Sequence, residues 1–270
     1  MIVRLLIGLI GLLGLSLVSA SELQFDGQFK QGGLIFGQAP PGTRLMLDEQ
    51  AVPVTPNGDF VFGFGRNAPK SARLHAIFPD GERKQYPLRI TQRTYKVQRI
   101  NGLPPKKVTP SKAALKRIKR ERKRVGAARR QNIQTPYFLS GFMWPVTGRI
   151  SGVYGSQRIL NGQPRQPHYG IDIARPVGTP VRAPADGIVT LTEPDLYFSG
   201  GTMIIDHGYR LSSTFLHLHE IKVQVGQKVR KGDIVATVGK TGRVTGPHLD
   251  WRMNWRKARI DPALIVPPMR

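Results

Sequence analysis

The 270-residue chain contains no cysteine. That absence excludes thiolate nucleophiles, disulfide frameworks and sulfur-ligated metal sites, so a bound metal must be held by His, Asp or Glu. Acidic residues are scarce as well: 17 Asp+Glu stand against 41 Lys+Arg, a formal net charge of +24. A long stretch of helical apolar periodicity is missing outside one short connector, which excludes a helical bundle. Also missing are a His-Glu-x-x-His helix, a Gly-x-Ser-x-Gly elbow and a phosphate-cradling glycine loop. With 30 Gly and 22 Pro, the composition is that of a turn-rich, all-β protein.

The chain divides into four parts. Residues 1–20 read as a signal peptide: Arg4 supplies a positive start, residues 5–17 are almost purely apolar, and Val18-Ser19-Ala20 offers small side chains for cleavage. The apolar run is short for a membrane span. The mature chain is therefore expected from Ser21, exported to the periplasm or the extracellular space. Residues 21–100 read as a small β-sandwich, punctuated by Pro40-Pro41-Gly42, Pro56-Asn57-Gly58 and Pro79-Asp80-Gly81. Phe60, Phe62 and Phe64 alternate toward its core, and His75, with no ligand-spaced neighbour, reads as structural.

Residues 101–141 form a connector. Within it, residues 106–130 hold twelve Lys/Arg and one acid, Glu121. Ser111 is placed to cap a helix running to about Arg130, with Leu115, Ile118 and Val125 as a thin apolar stripe. Such a charge run is a solvated face or a contact for an anionic envelope glycan or lipid. Export argues against a nucleic-acid partner. Residues 142–265 form a second, antiparallel all-β unit, which holds five of the six histidines.

Three polar pairs in that unit share a spacing. His168 and Asp172 are four residues apart, and a strand through them would show both on one face, with Ile171 and Ile173 turned to the core. His217-Leu218-His219 and His248-Leu249-Asp250 add two i, i+2 pairs. Polar pairs on apolar strands need a partner, and nitrogen and oxygen donors without sulfur suit Zn²⁺ in a catalytic site. Ser212 and Ser213 lack the turn of a nucleophile. Glu220 and Asp206 are available to hydrogen-bond a metal-bound imidazole from outside.

In these segments the chain resembles the lysostaphin-type zinc endopeptidases, whose LytM domain cuts the peptide part of bacterial peptidoglycan. The matching stretches are Trp144-Pro-Val-Thr-Gly-Arg-Ile-Ser-Gly-Val-Tyr-Gly155, His168-Tyr-Gly-Ile-Asp172, Gly178-Thr-Pro-Val-Arg-Ala183, Phe215-Leu-His-Leu218, Val225-Gly-Gln-Lys-Val-Arg-Lys-Gly232 and Thr241-Gly-Arg-Val-Thr-Gly-Pro-His-Leu249, in the family's order. The resemblance covers slightly under half of the chain. It implies Zn²⁺ on His168, Asp172 and the residue at 250, with His248 as general base and His217 stabilising an oxyanion or assisting proton transfer. Phe215 stands where the family has tyrosine. At position 250 the family has histidine and this chain has Asp250.

That departure alters the charge: a His-Asp-Asp set around Zn²⁺ sums to zero, which implies a weaker Lewis acid than the usual set. Another hydrolytic metal, or recruitment of His219, are alternatives at this point. The function implied is an exported peptidoglycan endopeptidase. The alternative is a degenerate family member that binds wall material or activates a wall amidase.

Overall fold

The computed structural model describes residues 22–103 and 108–269. The signal peptide expected over 1–20 lies outside the described residues. Among the described residues, no helix is long and apolar enough to cross a membrane.

The first unit is two antiparallel sheets. One has three strands, Gln24–Gly27, Leu34–Gln38 and Asp59–Gly63; the other has four, Gln50–Val52, Arg44–Leu47, Ser71–Ile77 and Arg83–Arg89. Side chains along Ser71–Ile77 alternate outward and inward, with His75 on the exposed face. Phe60 and Phe62 are fully buried, their rings stacked 6.1 Å apart, and Phe64 is buried beside them. The aromatic stripe is core, as the period-two alternation requires.

The connector helix, α1, runs Lys112–Arg129, and the Ser111 hydroxyl accepts from the Ala114 amide as its N-cap. Only part of the expected apolar stripe is covered. Ile118 is buried, and Val125 packs with Ala128, Leu191 and Ile204, while Leu115 stays exposed. One face of α1 is pinned to the Gly187–Leu196 strand by ion pairs from Arg117 to Asp195 (2.9 Å) and from Arg124 to Glu193 (2.8 Å). The basic run is thus a docked wall on one side and a solvated surface on the other.

The second unit is built on a ten-stranded sheet. Leu211–Ile221, His248–Trp255, Ile171–Ala174 and Arg149–Gly152 lie side by side in it, all antiparallel. Their inward side chains, among them Ile173, Phe215, Leu249 and Trp251, are fully buried. The core is continuous with that of the first unit. An Arg93–Asp261 ion pair at 2.7 Å and the bond from Arg66 Nε to the Gly155 carbonyl, at 2.6 Å, tie the two units together.

A tight turn joins Gly200–Asp206 to Leu211–Ile221, and two buried titratable groups sit in it. His207 donates from Nδ1 to the Asp186 carbonyl (2.7 Å) and accepts at Nε2 from the Ser213 hydroxyl (2.8 Å). Burial pushes its imidazole down to about 4. Burial pushes the neighbouring Asp206 carboxyl up to about 7, against its bond from the Gly208 amide. As pH falls from 6.5 to 4, the unfolded chain protonates its histidine and His207 costs stability. Over the same range the folded chain protonates Asp206 and gains it, each contribution being on the order of 3–4 kcal/mol. The two slopes oppose. Asp206→Asn should therefore lose stability on acidification across that window more steeply than the wild type, measured by urea unfolding. Parallel pH profiles would show that these groups do not titrate as their burial dictates.

Candidate metal centre

The site begins with strand register. Asp172 and Asp250 are direct partners across the antiparallel pair Ile171–Ala174 and His248–Trp255, so their carboxylates emerge together on the face opposite the core. Both residues are buried. His248, two residues before Asp250, reaches the same side, with Nε2 3.7 Å from Asp172 Oδ1.

His168 arrives differently from the sequence expectation. The strand starts at Ile171, so His168 belongs to the approaching loop rather than to a shared strand face. Two backbone bonds fix that loop, His168 N–H to the Ser156 carbonyl (2.8 Å) and Gly155 N–H to the His168 carbonyl (2.7 Å). His168 Nε2 then lies 3.0 Å from Asp172 Oδ1 and 3.4 Å from Asp250 Oδ2. His217 and His219 do not form a same-face pair either. His217 has φ +64, which breaks the pleat; it turns into the site and is buried, whereas His219 is exposed. A non-glycine residue held in the left-handed region costs energy and tends to mark functional positions. The His217 and His248 rings lie 4.9 Å apart.

Backbone carbonyls set all three imidazoles. The Nδ1 atoms of His168, His217 and His248 face the carbonyls of Val153 (3.3 Å), Thr241 (2.8 Å) and Gly246 (2.9 Å). A carbonyl only accepts, so each Nδ1 carries the hydrogen and each Nε2 presents a lone pair to the site. This corrects the expectation that Asp206 and Glu220 would orient these rings. Asp206 accepts from the Gly208 amide, and exposed Glu220 pairs with Lys222.

Two arginines complete the site. Arg252 donates from Nε and Nη2 to the two oxygens of Asp250, at 2.9 and 2.6 Å, a bidentate fork. Arg158 Nη2 donates to Asp172 Oδ2 at 2.7 Å. A side chain at Gly152 would collide with Asp172, and one at Gly170 with Asp250 and Arg252. Burial opposes ionisation of both acids. The Arg252 guanidinium nevertheless holds Asp250 well below the ordinary carboxylate range. His168 and Arg158 together hold Asp172 below it despite Asp250. Burial alone would lower His168, but the two carboxylates outweigh it and raise it. Arg252, two residues from Asp250 on one strand, was legible from spacing; Arg158, from another strand, was not.

His168, Asp172 and Asp250 each offer a donor atom, all within 4.8 Å of one another. Of these, His168 Nε2 and Asp172 Oδ1 are buried without a hydrogen bond. Their 3.0 Å approach sets two acceptors against one another. Lone pairs left in this way are costly, and a cation shared between them would satisfy both, so the donors fit a metal. The charge reading made from the sequence changes. Two carboxylates and two guanidiniums already sum to zero, so a divalent ion here would leave the centre at +2 once the arginines are counted with the ligands.

The profile of Peptidase family M23 matches residues 166–262, a span that contains His168, Asp172, His217, His248 and Asp250. A crystal structure of a peptidase M23 from Pseudomonas aeruginosa is 30% identical, covers 88% of this chain and 95% of its own, and superposes with a TM-score of 0.67. The chain belongs to peptidase family M23. Peptidoglycan DD-endopeptidase ShyA of Vibrio cholerae is 40% identical over 127 residues, 44% of this chain and 29% of that protein. DD-carboxypeptidase/endopeptidase Mpg of Neisseria meningitidis is 37% identical over 101 residues, 37% of this chain and 23% of that protein. The matched stretch thus spans less than a third of either curated relative.

Removing the fork on Asp250 should be felt in the fold. Arg252→Gln leaves a buried carboxylate facing Asp172 with its main counter-charge gone, a loss of about 3–5 kcal/mol. Arg252→Lys, which restores charge without the fork, should recover part of it. Urea unfolding in chelator checks this; unchanged midpoints in both variants would mean that Asp250 does not depend on the guanidinium.

Proposed function

We propose that this chain is an exported zinc metalloendopeptidase that hydrolyses peptide bonds in the stem peptides or cross-bridges of bacterial peptidoglycan. The observation that carries the reading is the convergence of His168 Nε2, Asp172 Oδ1 and Asp250 Oδ2 beside two further imidazoles. Membership of family M23 and the peptidoglycan endopeptidases among its relatives support it.

His168, Asp172 and Asp250 would hold the ion. When bound, Zn²⁺ polarises a scissile carbonyl and lowers the pKa of a coordinated water. His248, with its Nδ1–H fixed on the Gly246 carbonyl, has Nε2 available to take a proton as general base. His217 is kept neutral, because burial pushes its imidazole down to about 4. With its hydrogen on Nδ1, its Nε2 accepts rather than donates. Of the two roles implied for His217, assistance in proton transfer fits this tautomer and oxyanion stabilisation does not. The outward side chains of Lys116, Arg120 and Lys123 on α1 are exposed and suit attraction to anionic envelope glycan or lipid.

Metal analysis and digestion of purified peptidoglycan test the reading. The protein should carry one Zn²⁺, and His168→Ala and Asp172→Ala should lose it while remaining folded by circular dichroism. His248→Ala and His217→Ala should keep the metal and lose hydrolysis by about 10²–10⁴-fold. A folded wild type that takes up no zinc and cleaves no peptide, yet binds wall material, would establish the regulatory alternative instead.

A further inference from the structure

The centre opens into a cavity of about 1000 Å³ between α1 and the sheet, and Arg252 stands in its wall. Among the described residues its guanidinium has one carboxylate partner, Asp250, gripped through Nε and Nη2 at 2.9 and 2.6 Å. No Asp or Glu among them lines the cavity to take that place. The space around the pair is closely fitted. The Asp250 side chain is 1% exposed, and a Cβ at Gly170 would come within 2.6 Å of its Oδ1 and 2.5 Å of Arg252 Cγ. Room for the fork depends on one missing methyl group.

The fork decides which oxygen faces the centre. An ionised carboxylate has about four lone-pair sites on its two oxygens. Arg252 Nε takes one on Oδ1 and Nη2 takes one on Oδ2, so the plane of the guanidinium fixes the plane of the carboxylate. Oδ2 keeps a second site and lies 3.4 Å from His168 Nε2, on the side of the other donors. Asp172 is treated alike by a single bond: Arg158 holds Oδ2 at 2.7 Å, and Oδ1 is left toward His168. Each acid turns one oxygen inward and has its charge answered from behind. A carboxylate left free can chelate an ion through both oxygens, whereas one held in a fork offers one.

We propose that Arg252 is a positioning residue, and that Arg252 and Asp250 act as one unit in place of the histidine that the lysostaphin-type pattern has at position 250. A neutral imidazole binds a metal through a single nitrogen and adds no charge. A carboxylate cancelled by a guanidinium and held to one inward oxygen has the same two properties, and Asp250 alone has neither. The exchange of His for Asp is thus matched by Arg252 two residues along the same strand, and the two positions are coupled. With histidine at 250 the guanidinium would be stranded, an unpaired and largely buried cation facing a divalent ion. The inference rests on the proposed metal site and extends it to the residue that prepares its least usual ligand.

Zinc affinity of the full chain, read by competition with a chromophoric chelator, tests the coupling without hydrolysis. Asp250→His should bind zinc at least about tenfold more weakly than Asp250→His/Arg252→Gln, because only the single variant leaves an unpaired cation beside the ion. Cobalt in place of zinc tests the positioning, since four-coordinate cobalt absorbs visible light far more strongly than cobalt of higher coordination. Arg252→Gln frees the Asp250 carboxylate to turn and chelate, so its cobalt band should weaken relative to the wild type. Arg252→Lys, which keeps the charge that the fold needs and loses the fork, should weaken it part of the way. Should Asp250→His fail to fold while the double variant folds, the same coupling is read in the fold. Equal zinc affinity of the single and double variants overturns the proposal. So does a cobalt band unchanged in both Arg252 variants, since a merely structural arginine would move stability alone. A wild type that takes up no zinc removes the proposed function together with this inference. Zinc uptake by the wild type with either overturning result removes the inference and leaves the function.

Discussion

Two carboxylates placed directly opposite one another in an antiparallel pair are the constraint around which the second unit is arranged. Asp172 and Asp250 are fixed there by register, because the residues flanking each are buried apolar side chains that cannot change faces. Like charges so placed repel, and burial removes the water that would screen them. The structure answers with two guanidiniums, Arg252 in bidentate contact with one acid and Arg158 on the other, while His168 Nε2 approaches both. Gly152 and Gly170 leave the room that this packing needs. After these contacts the acceptors His168 Nε2 and Asp172 Oδ1 stay unsatisfied, and a cation shared between them would satisfy both.

The same sorting of charge governs the connector helix. Its acidic contacts, Glu193 and Asp195, lie on the sheet edge where α1 docks, and Arg117 and Arg124 are spent there. Between and beyond these two, Arg122 and Arg129 line the cavity and meet more arginine. One helix therefore separates a neutralised seam from a strongly cationic interior. The three imidazoles are oriented without any side-chain acid at Nδ1. Backbone carbonyls of Val153, Thr241 and Gly246 hold them, so neither site carboxylate is used at an Nδ1.

Much of this was legible in the chain. The absence of cysteine, the turn residues and the period-two alternation of Phe60, Phe62 and Phe64 set the all-β class, because strand geometry repeats every two residues wherever one face is buried. Ser111 and the spacing of Ile118 and Val125 located α1, because capping and helical periodicity are local. His248 and Asp250 shared a face as their spacing required. The motif order from Trp144 to Leu249 pointed to the family whose profile the chain matches.

Spacing failed where the backbone departs from a regular strand. His168 reaches the centre from a loop, and the positive φ of His217 sends it inward while His219 goes to solvent. Neither departure is written in a period of two. Nor could the sequence show that Arg158 would lie against Asp172, or that Arg129 would donate to Thr214, since each pair joins elements that meet only when the sheet closes and α1 docks on it. The residue types came from the sequence, because the chemistry of a donor set belongs to its side chains. The charge of the centre was decided by the tertiary structure, because electrostatic balance depends on distance and burial rather than on order along the chain.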